Sequence, residues 1–169
     1  MNKLLASLLA SAALLATAIP AAQGATTASN NFTVTVALTS QCKANNDSTQ
    51  TVDFGTYEAF QVGAQASLAD ANIEFKCTRG FTPASAAFDT TNGTAIGGGV
   101  LLGLNYDLSV AASTLTTAGT AATSAPAGIG SGDIRTYAVS GSMPADQAGD
   151  CATASCAALS HTRTLIVTF

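Results

Sequence analysis

The side chains able to do chemistry are few. Four cysteines (Cys42, Cys77, Cys151 and Cys156) and one histidine (His161) hold the thiol and imidazole capacity of the chain. Cys151, Cys156 and His161 fall in one short stretch and offer three metal donors. Structural zinc takes four, from tightly spaced pairs, and oxidation would remove the thiolates. Four cysteines allow three disulfide pairings. Cys42 follows one alternating segment and Cys77 ends another, so this pair can staple two strands. Cys151 and Cys156 can clip a local loop over residues 146–160. The favoured pairing is therefore Cys42–Cys77 with Cys151–Cys156. Closing the longer loop is worth roughly 3–4 kcal/mol and the shorter one less.

No catalytic constellation emerges from the remaining residues. A Ser-His-Asp set can be drawn around His161, as in any Ser-rich chain with one histidine, but the Gly-x-Ser-x-Gly elbow is missing. Gly97-Gly98-Gly99 fits neither a dinucleotide fingerprint nor a P-loop and reads as a turn. The carboxylates Asp53, Glu58, Asp70 and Glu74 are scattered without an acid–base pattern. Neither an enzyme nor a cofactor or metal protein is expected. Glycan-acceptor triplets start at Asn31, Asn46 and Asn92; they carry little weight in a chain whose leader looks bacterial.

Composition narrows the class. The chain has 169 residues, 47% hydrophobic and only 9% charged, against roughly 25% charged in ordinary soluble domains. A charge-rich disordered chain is excluded. Six Lys plus Arg against ten Asp plus Glu leave no electrostatic footprint for nucleic acid. Met1-Asn2-Lys3, an uncharged apolar run from Leu4 to Ile19, Pro20 and the small residues to Gly24 read as a signal peptide, 1–24, cleaved after Gly24. The run is shorter than the ~18–20 residues of a membrane span. Removing it takes Lys3 and leaves one domain exported through the inner membrane to an oxidising compartment, where disulfides persist.

The elements that must position these residues are strands. Phe32, Val34, Val36 and Leu38 alternate with Thr33, Thr35, Ala37 and Thr39, which predicts a strand with one buried face. Further strands are predicted over 51–57, 73–77, 86–89, 100–110, 135–142 and 163–169, with a turn at Asn92-Gly93. Residues 113–132 read as irregular, and 61–71 could hold one helical turn. Short strands between turn signals suggest an all-β sandwich. The ends complete the pattern: the sequence stops within the apolar strand carrying Leu165, Val167 and Phe169, while the N-terminal strand is spare.

Several motifs then follow one another in a recognisable order. They are the alternating strand from Phe32 to Cys42, Asp53-Phe54-Gly55-Thr56-Tyr57, the stretch from Ile73 to Gly80, and Leu104-Asn105-Tyr106-Asp107-Leu108. The stretches from Tyr137 to Gln147 and from Thr162 to Phe169 complete the set. In this order they resemble the spore coat protein U domain family, which includes the pilins of archaic chaperone–usher pili. The chain departs from the family in lacking Trp and in carrying residues 151–160 in place of a Gly-x-Tyr.

The resemblance implies an incomplete immunoglobulin-like β-sandwich, residues 41–169, completed by a donor strand from a neighbouring subunit. It implies a donor segment over 25–40, with Phe32, Val34, Val36 and Leu38 as its plugs. Leu165, Val167 and Phe169 would belong to the groove strand that the chaperone first complements. The expected partners are copies of the chain or related pilins, a periplasmic chaperone and an outer-membrane usher. The expected role is a subunit of an extracellular pilus that supports adhesion and biofilm formation, reached through the periplasm. The alternatives are a spore or cell-surface coat protein and a secreted adhesin or sugar-binding sandwich.

Overall fold

Period-two alternation is realised on three adjoining strands. On β3 (Ala71–Cys77), β6 (Leu104–Val110) and β10 (Asp133–Met143), the buried positions share one face. Ala71 and Cys77, then Leu104, Tyr106 and Leu108, then Tyr137, Val139 and Met143 point inward, as side chains two apart on a strand must. A computed structural model describes residues 28–46, 48–124 and 127–169. The signal-peptide reading, 1–24, and the first residues of the donor segment lie outside them. The chain divides into two units, residues 1–37 and 38–169.

The second unit is all-β, without a helix among the described residues. Its main sheet is antiparallel, in the order β1 (Cys42–Ala44), β3, β10, β6, β5 (Gly99–Leu101). Two short strands, β2 (Gln65–Ala66) and β7 (Thr114–Thr117), also pair with β10. β4 (Ser85–Phe88) pairs with β11 (Leu165–Thr168) in a separate two-stranded sheet. A small hairpin joins β8 (Thr123–Ser124) to β9 (Ala127–Gly128). Phe88 of β4 joins the buried cluster of Ala71, Leu104, Tyr106, Leu108, Val139 and Met143, and Leu165 of β11 packs against it. The two sheets therefore share a core in a sandwich-like arrangement.

Five expectations change. The run 100–110 is a hairpin, because Leu102 (φ 52°) and Gly103 (φ 67°) both take the left-handed conformation that a two-residue hairpin turn needs. Its geometry is held by the Asp150 N–H, which donates to Leu102 O at 2.6 Å. The stretch 51–57 pairs only at Asp53 with Ala69, and 61–71 holds β2 instead of a helical turn. The region 113–132 carries β7, β8 and β9; β7 and β8 are exposed along their length, so no buried face marks them in the sequence. Finally, residues 28–41 belong to no strand: the alternation of 32–39 finds no ladder partner among the described residues.

Candidate functional site

Both disulfides form as the spacing favours, Cys42–Cys77 and Cys151–Cys156. Cys42 stands directly opposite Cys77 in the β1–β3 ladder, and Cys77 is among the most buried side chains of the protein. The sulfurs of Cys151 and Cys156 are thus bonded to each other rather than open to a metal. His161 is partly buried, its Nδ1 3.1 Å from Tyr106 Oη. The scattered carboxylates serve local structure. Asp53 accepts the Gly55 N–H, Asp70 the Ser67 hydroxyl and Glu74 the Asn45 amide. Glu58 is exposed. Gly97-Gly98-Gly99 forms a turn into β5, with Gly97 at φ +110° and its N–H donating to Thr94 O. Asn46 and Asn92 donate side-chain amides to Asn72 O and Thr162 O, whereas Asn31 is exposed.

The unsatisfied feature is an edge. Among the described residues, β11 pairs only with β4, in the register Leu165↔Phe88 to Thr168↔Ser85. Its opposite edge has no ladder partner, and such an edge is a template for another strand. Leu165 and Val167 point toward the interior side and are half-buried, while Ile166 faces outward. Phe169 remains 54% exposed although its ring meets Phe81 edge-on at 6.4 Å. The three groove residues expected from the sequence therefore lie together along one strand and its end.

The approach to β11 is fixed by Arg163. Its Nε donates to Asp89 Oδ1 at 2.8 Å, and its Nη2 donates to Asp89 O at 2.7 Å and Thr94 O at 2.9 Å. Nη1 reaches the Gly97 and Gly98 carbonyls, and the guanidinium lies over the Phe88 ring. The planar fork lets one side chain satisfy several carbonyls. Hydrogen bonding from Arg163 holds the Asp89 carboxyl below its ordinary range. Nothing in the motif reading singled out this residue; the signal available was its rarity, as one of six Lys and Arg residues in the sequence.

The second part of the candidate site is the segment before β1. Phe32, Val34, Val36 and Leu38 are 86%, 79%, 94% and 81% exposed. Four large apolar side chains at period two, all in water, leave roughly 6–12 kcal/mol of burial unrealised at ~1.5–3 kcal/mol each. No protein-family model, curated protein or solved structure matches the chain.

Proposed function

We propose that the chain is a structural subunit of an extracellular pilus, joined to the next copy by insertion of an extended strand. The exposed period-two segment is the donor, and the unpaired edge of β11 is the acceptor. The observation that carries this reading is the exposure of Phe32, Val34, Val36 and Leu38 in a chain whose last strand has one open edge. Each element lacks what the other offers: the segment lacks a ladder and a dry face, and β11 lacks a neighbour. Strand addition supplies both, with main-chain bonds for affinity and alternate side chains for specificity. Such head-to-tail contact is heterologous and does not close, so filaments follow. Before assembly the same edge needs cover, the task of a periodic partner such as a periplasmic chaperone, with an outer-membrane usher for export. Adhesion and biofilm formation are the roles such a fibre would serve.

Deleting residues 25–39 tests the reading. The truncated chain should keep its fold and both disulfides, yet form no SDS-resistant polymer. Polymers from the truncated chain would overturn the donor assignment.

A further inference from the structure

We propose that the two ends of the main sheet are a pair of electrostatic docking faces, basic and acidic, that meet between successive copies of this chain. The inference rests on the fibre reading and specifies which surfaces meet. Its starting point is an anomaly. Lys43 and Lys76 stand directly opposite each other in the β1–β3 ladder. Like charges so placed repel and destabilise a sheet, and this chain has only six Lys and Arg residues in its sequence. Arg79, exposed, follows two residues after Cys77. Among the described residues, Arg163 with Asp89 is the one ion pair, so neither lysine is neutralised that way. The acids nearest this end are engaged. Asp133 is buried and accepts the Gly80 and Gly119 N–H groups, and Glu74 holds the Asn45 amide.

The opposite end of the sheet is acidic. The register places Lys76 beside Ile134 and Asp107 beside Ser142. Those positions are eight residues apart on β10 (142 − 134), roughly 26 Å at ~3.3 Å per residue. Around the far end the backbone bonds gather the loops: Phe60 N–H to Gln147 O, Asp146 N–H to Gln61 O, Asp150 N–H to Leu102 O and Asp53 N–H to Ala69 O. Asp53, Glu58, Asp70, Asp107, Asp146 and Asp150 are all exposed there, and among the described residues no Lys or Arg lies in these loops. The same loops expose Phe60 and Val62, apolar area of the kind that an interface covers inside a polar rim.

Chain direction makes the two faces meet. The donor segment runs into its own domain at Cys42, at the basic end. β4 begins near that end, because Arg135, on β10 beside Phe75, donates to Phe81 O and Thr82 Oγ1. β11 therefore runs from Leu165, nearer the acidic end, to Thr168, nearer the basic one. Among the described residues every ladder is antiparallel. A donor laid antiparallel to β11 leaves the acceptor past Leu165, and its own Lys43 and Lys76 arrive at the acceptor's acidic loops. The reverse direction would bring two basic ends together. Opposite potentials at a contact steer encounter and suppress the wrong register.

The test uses the chain from residue 25 onward and two reversals of charge, at exposed residues and at the half-buried Lys76. Lys43→Glu with Lys76→Glu makes both ends acidic; Glu58→Lys, Asp107→Lys, Asp146→Lys and Asp150→Lys together leave four lysines against Asp53 and Asp70 and make both ends basic. Each variant alone should polymerise on the order of tenfold more slowly than the unmutated chain at low salt, with melting temperatures and disulfides checked as unchanged. Mixed in equal amounts, they should recover the unmutated rate, since each end then finds its opposite in the other variant. Added salt should slow the unmutated chain and narrow the difference. Variants that each elongate like the unmutated chain, or a mixture no faster than either alone, would overturn the docking faces and leave the fibre reading standing. An unmutated chain that forms no polymer would remove the fibre reading and this inference with it.

Discussion

At the scale of single residues, two charged groups hold the fold through main-chain polar atoms. Arg163 anchors the start of β11 to the 89–98 loop, and Asp133 joins the Gly80 and Gly119 turns. Arg163→Ala would take the guanidinium from the Asp89 carboxylate and from the Asp89 and Thr94 carbonyls, of which Thr94 O keeps only the Gly97 N–H. The expected result in a thermal melt is a Tm lower by at least about 4 °C. Acid should act through the carboxylates. Hydrogen bonding from Arg163 lowers the Asp89 pKa, and backbone bonds from Gly119 and Gly80 lower that of Asp133. A carboxyl that releases its proton more readily when folded contributes stability above its unfolded pKa of about 3.9. That contribution is lost as pH falls through the lower folded value. Melting temperature should therefore drop below about pH 4, and Asp133→Asn should flatten the drop while lowering Tm at neutral pH. A variant with the same acid dependence as the parent would show that Asp133 is not responsible.

At the scale of elements, the donor segment and the disulfide-stapled edge make separate demands. Phe32, Val34, Val36 and Leu38 share one side of an extended segment, and Thr33, Thr35, Ala37 and Thr39 the other. Val36→Asp puts a carboxylate where the proposed groove is apolar, whereas Thr35→Asp puts the same charge on the opposite side with a similar loss of β-propensity. Sheared surface polymer, measured by blot, should vanish for Val36→Asp and fall only modestly for Thr35→Asp. Equal tolerance of both would make the segment a free tail. On β1, the Cys42–Cys77 bridge closes a sequence separation of 35. Replacing both cysteines by Ala should cost about 3–4 kcal/mol in denaturant unfolding, against about 2 kcal/mol for the Cys151–Cys156 clip. The order of the two losses is the part to check, since it follows from loop length alone.

At the scale of the whole molecule, a subunit with an open edge should be less stable alone than when complemented. A synthetic peptide spanning Asn30 to Thr39, added to the chain lacking residues 25–39, should raise its melting temperature. At a peptide concentration 100 times Kd, the gain would be about 2.7 kcal/mol. A peptide with Val34 and Val36 both replaced by Asp should give no shift. A melting temperature indifferent to the native peptide would mean that β11 accepts no strand from this segment.

Much of the architecture followed from alternation, since residues two apart share a face on any strand. β3, β6, β10 and β11 were visible as Ile73–Cys77, Leu104–Leu108, Tyr137–Val139 and Leu165–Val167, and the cysteine pairing followed from their placement. The sequence by itself thus determined the all-β class, the faces and the staples. The sheet order was beyond it. That β10 lies between β3 and β6 depends on pairings between residues 56 apart (Asp133↔Cys77), 68 apart (Val139↔Ala71) and 35 apart (Ser142↔Asp107), which local pattern does not encode. Leu102 with Gly103 gave no usual turn signal, because a leucine takes positive φ there under the hold of Asp150. The alternation of 32–39 read as a strand, yet a strand needs a partner as well as a pattern, and the described residues supply none. The opposition of Lys43 to Lys76 and the gathering of acids from three loops and β6 likewise came only with the tertiary structure. Charges far apart in sequence become a face only when register and backbone bonds bring them to one end of a sheet.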